Sequence, residues 1–148
     1  MNLKKTLLIL LVVTIIISSL TFVSAGLFGG LSVNGVDFNT PEGFEEYEIP
    51  DGLDELISKD AIGLVNTETK DWVFVDAGEK LVDVSDSMIN ESKKTTINGK
   101  EGTLNTYSKT NSASKTGHFF DYESNGKQVR VVVFTDDDGG SLLLKVVK

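Results

Sequence analysis

The dipeptide Asn125-Gly126, set between two apolar segments, is the feature that most restricts how this chain can fold. Residues 118–123 precede it and residues 127–134 follow it. Asn and Gly both tolerate the positive φ of a type I′ turn, which joins two antiparallel strands with the correct twist. The dipeptide therefore predicts a β-hairpin, and with it an antiparallel sheet.

Further strand segments predict a larger sheet. Residues 95–97 and 103–107 flank the segment Asn98-Gly99-Lys100-Glu101-Gly102, which is a second hairpin signal. Residues 61–65 and 71–75 form another pair, and the second of these is apolar on both faces. A strand of that kind is central in its sheet and covered on both sides.

Three segments bear on the number of helices. The i, i+3, i+4 spacing of Leu53, Leu56 and Ile57 predicts one or two helical turns. Residues 80–93 fit either a helix or a strand followed by a short helix, and residues 141–148 fit either an amphipathic helix or a final strand. The predicted fold class is therefore α+β, an antiparallel sheet built from hairpins with two or three short helices packed on it.

The first 25 residues have the parts of an export signal. Lys4 and Lys5 precede an uncharged, apolar stretch over residues 6–23, and small residues stand before a predicted cleavage after Ala25. The apolar stretch is also long enough to span a bilayer, so it is either a cleaved signal or a membrane anchor. In both cases we expect the folded part outside the cytoplasmic membrane, because the lysines stay inside.

The rest of the chain is predicted to be a glycine-rich tether over residues 26–32 and a single domain over residues 33–148. The chain has 148 residues, a net charge of −8 and no cysteine. A domain of about 120 residues can build its core without disulfides. The lack of cysteine excludes thiol nucleophiles and Cys-based metal sites, and the acidity argues against nucleic acid as a partner.

An acidic run is the candidate metal site. Asp136, Asp137 and Asp138 precede a glycine, as in part of a calcium-binding loop. The closing position of an EF-hand loop would be Val147, which has no ligand oxygen in its side chain, so that motif is incomplete. A solvated acidic turn is the alternative interpretation.

Other candidates are single residues. His118, the only histidine, has no orienting partner that the sequence identifies, which favours a structural role. Asn90 begins the glycosylation sequon Asn90-Glu91-Ser92. Four aromatic residues are candidates for a surface that contacts sugar or peptide, although a Trp in an apolar strand is more often core: Tyr47, Trp72, Tyr107 and Tyr122.

Residues 35–44, 97–102 and 120–127 resemble segments of small exported proteins of methane-producing archaea. The order of predicted elements is also loosely similar to the PsbP-like α/β/α sandwich. That resemblance implies an interaction or accessory role without catalysis, and it transfers no functional residue to this chain.

We therefore predict an exported cell-envelope domain with a non-catalytic binding or accessory role. It would use no cofactor, bind an envelope protein or a cell-wall polymer, and contact the membrane only through its N-terminal segment. One alternative is a small hydrolase that acts on envelope material through a carboxylate pair such as Asp54 and Glu55. The other is a purely structural surface protein.

Overall fold

The computed structural model describes residues 30–148 and shows a chain folded mainly into β-strands. The predicted signal or anchor over residues 1–25 lies outside the described residues. The strands are β1 Gly30–Val33, β2 Val36–Asn39, β3 Glu45–Tyr47, β4 Ile62–Val65, β5 Trp72–Gly78, β6 Ile89–Ile97, β7 Lys100–Thr110, β8 Thr116–Ser124 and β9 Lys127–Thr135. A 3₁₀ turn spans Asp86–Met88, and helix α1 spans Gly140–Val146.

Seven of the strands form one antiparallel sheet, in the order β3-β4-β5-β9-β8-β7-β6. Strands β1 and β2 form a separate two-stranded hairpin. In the centre of the sheet, β5, β9 and β8 pair over almost their whole lengths. Their side chains are apolar on both faces, so both faces have to be covered.

Three hairpins turn on the same dipeptide. Asn34-Gly35, Asn98-Gly99 and Asn125-Gly126 have φ values of 47 and 85°, 50 and 81°, and 53 and 73°, respectively. Two consecutive positive φ angles define the type I′ turn, which non-glycine residues other than Asn and Asp rarely enter. The hairpins predicted at Asn98-Gly99 and Asn125-Gly126 are confirmed, and the one at Asn34-Gly35 is an addition.

One face of the sheet is covered by regular structure, the β1–β2 hairpin and α1. Phe38 of the hairpin and Leu143 and Val146 of the helix are fully buried there, against valines of β5 and β9. The helix can approach the sheet because Gly139 precedes it. A Cβ at Gly139 would lie 2.8 Å from the side chain of Val133, which real Cβ atoms do not tolerate.

The other face is covered by chain without long helix or strand, residues 49–61 and 80–88. Leu56 and Ile57 are buried against aromatic residues of the sheet. Their backbone N–H groups both donate to the carbonyl of Leu53 at 2.9 Å, which makes one turn without a continuing helix.

The chain's only arginine, Arg130, attaches both irregular segments to the sheet. It is 5% exposed, and its Nε and Nη2 donate to the two carboxylate oxygens of Asp121 at 2.7 and 2.9 Å. Its Nη1 donates to the carbonyls of Leu56 and Val82, both at 2.8 Å. The guanidinium carbon lies 4.8 Å from the ring centre of Phe119. One buried cation therefore links two strands to both covering segments.

The predicted α+β class is wrong, because one short helix lies among residues 30–148 instead of two or three. The Leu53 segment stops after one turn, and residues 80–93 are loop, a 3₁₀ turn and the start of β6. Ser85, Asp86 and Ser87 compete for backbone hydrogen bonds, which disfavours a helix there. The α/β/α layers implied by the PsbP-like resemblance are absent from this part of the chain.

The structure also describes the C-terminal segment and part of the predicted tether. The terminal segment is a helix up to Val146, and Val147 then forms an isolated β-bridge with Phe38. Strand β1 begins at Gly30, inside the segment predicted as a tether. No helix within residues 30–148 has the length and apolar character required to cross a bilayer.

We expect Arg130→Met to lower the free energy of unfolding by about 3–5 kcal/mol, because it leaves Asp121 and two carbonyls without their donor. The matched control is Lys127→Met, which removes a half-exposed cation that pairs with the exposed Glu79 and should cost about 0–1 kcal/mol. Urea unfolding followed by the fluorescence of Trp72 measures both. An Arg130→Met loss no larger than the control would show that the arginine does not hold the segments.

Candidate functional site

A cavity of about 240 Å³ opens on the loop-covered face of the sheet, between the turn at residues 50–53 and the end of β7. We call it the aromatic pocket. Its lining residues are Pro50, Asp51, Gly52, Leu53, Trp72, Phe74, Tyr107, Lys109, Thr110, Asn111, Ser112 and Phe134.

The walls of the aromatic pocket are four rings that the strand register places on one face. Trp72 and Phe74 are two residues apart on β5, and Trp72 is paired with Phe134 of β9. Trp72 stacks on Phe74 with ring centres 5.5 Å apart, while Phe134 meets Phe74 and Tyr107 edge-to-face at 6.1 and 6.4 Å. Edge-to-face and stacked contacts hold the rings in defined orientations, so the pocket is preformed.

Tyr47 extends the aromatic surface outward from the pocket. Its ring meets Trp72 edge-to-face at 5.9 Å, and it is 62% exposed. A single exposed aromatic side chain is ordinary, but Tyr47 is in contact with a ring of the pocket wall. Tyr47 therefore continues the wall from the pocket onto the protein surface.

Glu55 joins two residues of the pocket. Its Oε1 accepts a hydrogen bond from the hydroxyl of Tyr107 at 2.8 Å and another from Nζ of Lys109 at 2.6 Å. The hydrogen bond from Lys109, followed by that from Tyr107, lowers the pKa of Glu55. Burial and the nearby carboxylate raise the pKa of Tyr107. Glu55 is therefore held as an anion, whereas a general acid requires a raised pKa.

The polar rim is organised around Asn111. Its Oδ1 accepts hydrogen bonds from the backbone N–H groups of Ala113 and Lys115, at 3.0 and 2.9 Å, which closes the β7–β8 loop. Its Nδ2 is buried and finds no acceptor among residues 30–148. Asn111 lines the pocket, but this nitrogen is closed off from solvent, so the unpartnered N–H₂ group is a cost to the loop and not an open binding group.

The four aromatic candidates divide between the two faces of the sheet. Tyr47, Trp72 and Tyr107 come together at the pocket. Tyr122 lies in the core on the helix face, where its ring stacks on Phe120 at 5.2 Å. Burial raises the pKa of Tyr122 to about 12.

The acidic run lies at the start of α1, away from the pocket. Asp136 pairs with Nζ of Lys115 at 2.6 Å. Asp137 and Asp138 accept hydrogen bonds from the backbone N–H groups of Gly139 and Gly140, at 2.7 and 2.9 Å. Each carboxylate is engaged separately, and no metal-ligating group of three His, Asp or Glu occurs within residues 30–148. Metal binding there stays a prediction.

The remaining candidates lie elsewhere. His118 is buried under the loop before α1, with Nε2 3.2 Å from the carbonyl of Asp137 and Nδ1 3.4 Å from Oγ1 of Thr106. Asn90 is exposed in a bulge at the start of β6. Asp54 is exposed and lies outside the pocket lining.

Sequence reasoning missed the rim of the pocket. Residues 108–117 are mostly Ser, Thr, Asn and Lys, which are typical of any exposed turn. Their contribution depends on the loop folding back beside Trp72, to which no local sequence signal corresponds.

No family model matches this chain, and neither a curated protein nor a solved structure is significantly similar to it. The function is therefore argued from the geometry of the site.

We expect Glu55→Gln to destabilise the protein at neutral pH, because a carboxylate with a lowered pKa stabilises the fold only while it is ionised. The difference from the parent should be complete well above pH 4.5, the ordinary pKa of a glutamate, and should disappear as the pH falls through the lowered pKa of Glu55.

Urea midpoints of the two proteins between pH 3 and pH 7 measure this effect. Glu68→Gln, at an exposed glutamate of the β4–β5 turn, is the control and should show no such pH dependence. A Glu55→Gln effect that is constant over this range would contradict the assignment.

Proposed function

We propose that this protein is an exported, non-catalytic binding domain that holds a neutral sugar unit of a cell-envelope polymer in the aromatic pocket. The observation that carries the proposal is a preformed aromatic wall bordered by polar side chains, among them Asp51, Thr110 and Ser112. Sugars present apolar C–H faces and hydroxyl edges, so they suit a site that offers both kinds of surface.

The size of the pocket favours a single ring. Sites for drug-sized ligands usually have volumes of roughly 300–1,000 Å³. This pocket has about 240 Å³ and is open to solvent on one side. It can therefore admit one unit of a chain whose neighbouring units continue along the surface past Tyr47.

The charge around the pocket favours a neutral ligand. Residues 42–55 contain seven acidic residues and no basic residue. The one cation that lines the pocket, Lys109, is already paired with Glu55. Anionic polymers would be repelled by this surface, whereas neutral sugars would not.

The state of Glu55 supports binding without hydrolysis. Glycoside hydrolysis requires one carboxyl group with a raised pKa opposite a second carboxylate. Glu55 has a lowered pKa and is held by two donors, and the neighbouring Asp54 is exposed and lies outside the pocket lining. The pair suggested by the sequence is thus poorly arranged for acid catalysis.

The binding test uses Trp72, the only tryptophan, as the reporter. We expect its fluorescence to change on titration with a neutral oligosaccharide from a panel of glucose, mannose, galactose and N-acetylglucosamine tetramers. A galacturonic acid tetramer, which is anionic, should cause no change. If no neutral sugar perturbs Trp72, or if the anionic tetramer binds best, the proposal is wrong.

A matched pair of variants localises the binding. Asp51 lines the pocket and Asp54 does not, although both are exposed aspartates of the same turn. Loss of one hydrogen bond to a charged group should weaken sugar binding by roughly 10- to 100-fold in Asp51→Asn. We expect Asp54→Asn to bind like the parent. Equal effects of the two substitutions would place the sugar elsewhere.

The export part of the proposal has its own test. The intact mass and the cell fraction of the native protein distinguish a chain that begins at Gly26 from one that retains Met1. Either form in the envelope or outside the cell agrees with the proposal. A protein found in the cytosol with residues 1–25 intact would overturn it.

A further inference from the structure

The large sheet ends in two edges of different character. The β3 edge has three residues, all exposed, and carries Glu45, Glu46 and the adjacent Glu48. The β6 edge has nine residues, of which 90–94 are all exposed. A long, exposed edge strand is a template on which another strand can pair.

The hairpin turn determines which backbone groups of β6 point outward. Asn98-Gly99 is a two-residue turn, so Ile97 and Lys100 form a hydrogen-bonded pair. Hydrogen-bonded and non-hydrogen-bonded pairs alternate along an antiparallel ladder. Ser92, Lys94 and Thr96 therefore direct their N–H and C=O groups away from β7.

We propose that a second copy of this chain pairs with this edge, β6 against β6, antiparallel and around a two-fold axis at Ser92. A two-fold axis perpendicular to the sheet keeps each side chain on its own face. Residues that face each other across the axis must point to the same side of the sheet. Because side chains alternate between the two sides along a strand, their residue numbers are equal or differ by an even number. The axis must also pass through a residue of the exposed stretch.

The charges of β6 select Ser92 as the residue on the axis. With Ser92 there, Glu91 lies opposite the partner's Lys93, and this pair occurs twice by symmetry. An axis at Lys93 or Lys94 would place two lysines directly opposite each other, and an axis at Glu91 would do the same with two glutamates. An axis at Asn90 would fall in the bulge at the start of β6, where the strand pairing is irregular. Opposite charges stabilise a cross-strand pair and like charges destabilise it.

The side chains beside the edge also favour a second copy. A groove of about 480 Å³ runs along β6 on the helix face, and Glu91, Lys93, Leu104 and Leu144 are among its lining residues. Leu144 of α1 is 55% exposed. The two-fold axis brings both copies of α1 to the same side of the joined sheet, where each groove faces the other copy. The acidic β3 edge offers no such self-complementarity.

Because the chain has no cysteine, one introduced cysteine tests the register. Across the axis, the two Ser92 Cα atoms would lie about 5.5 Å apart, within the range of a disulfide. We expect Ser92→Cys in the full chain to form a disulfide-linked dimer on mild oxidation. The control is Lys94→Cys, equally exposed on the same strand but too far from its symmetry mate to be linked.

Charge reversal tests the proposed ion pairs without a cross-link. Lys93→Glu and Glu91→Lys should each weaken the dimer by roughly tenfold, measured by sedimentation velocity over a range of protein concentrations. The double variant restores opposite charges and should restore dimerisation. A monomeric parent at all concentrations, equal cross-linking of Lys94→Cys, or a double variant no better than the single ones would each overturn the proposal.

This inference is independent of the sugar site. The aromatic pocket lies on the opposite face of the sheet, so a negative result for the dimer leaves the binding proposal unchanged.

Discussion

The guanidinium group of Arg130 holds two irregular segments of the chain against the sheet. A covering layer without helix or strand leaves backbone carbonyls that need donors wherever it is buried. Arg130 supplies two of these donors, to Leu56 and Val82, while Asp121 balances its charge. Asp76, its neighbour on β5, binds the backbone N–H and the hydroxyl of Ser58, each at 2.8 Å. Two buried charged groups of the sheet thus attach the loops to it.

The location of the candidate site follows from the different covering of the two faces of the sheet. On the helix face, the β1–β2 hairpin and α1 fill the space over the sheet with closely packed aliphatic side chains. On the loop face, irregular chain covers the sheet incompletely, and a gap remains beside Trp72. The rings that border this gap pack against one another, so the gap keeps its shape. The pocket is therefore a consequence of covering a sheet with loops, and Tyr107 connects it to Glu55.

Local signals predicted the strands well and the layers poorly. The Asn-Gly hairpins could be predicted because the turn requires positive φ at both positions, and the same rule would have found Asn34-Gly35. The spacing of Leu53, Leu56 and Ile57 predicted one or two helical turns, and the segment makes a single turn in which Leu56 and Ile57 are buried. An i, i+3, i+4 pattern records which side chains face the core, and one turn satisfies it as well as a helix does. Of the four aromatic candidates, three share a surface, and Tyr122 lies in the core on the other face of the sheet.

The sequence by itself determined that the chain makes antiparallel hairpins, that its core forms without disulfides, and that its surface is acidic. These properties depend on turn geometry and composition, which act over a few residues. Only the tertiary structure decided that Arg130 meets Leu56 and Val82, and that Asn111 and Trp72 line the same pocket. Such contacts join residues distant in the chain, and they depend on strand order, which hairpin signals do not specify. The physical reason is that a turn depends on the backbone angles of a few consecutive residues, whereas a pocket exists only where separate segments converge.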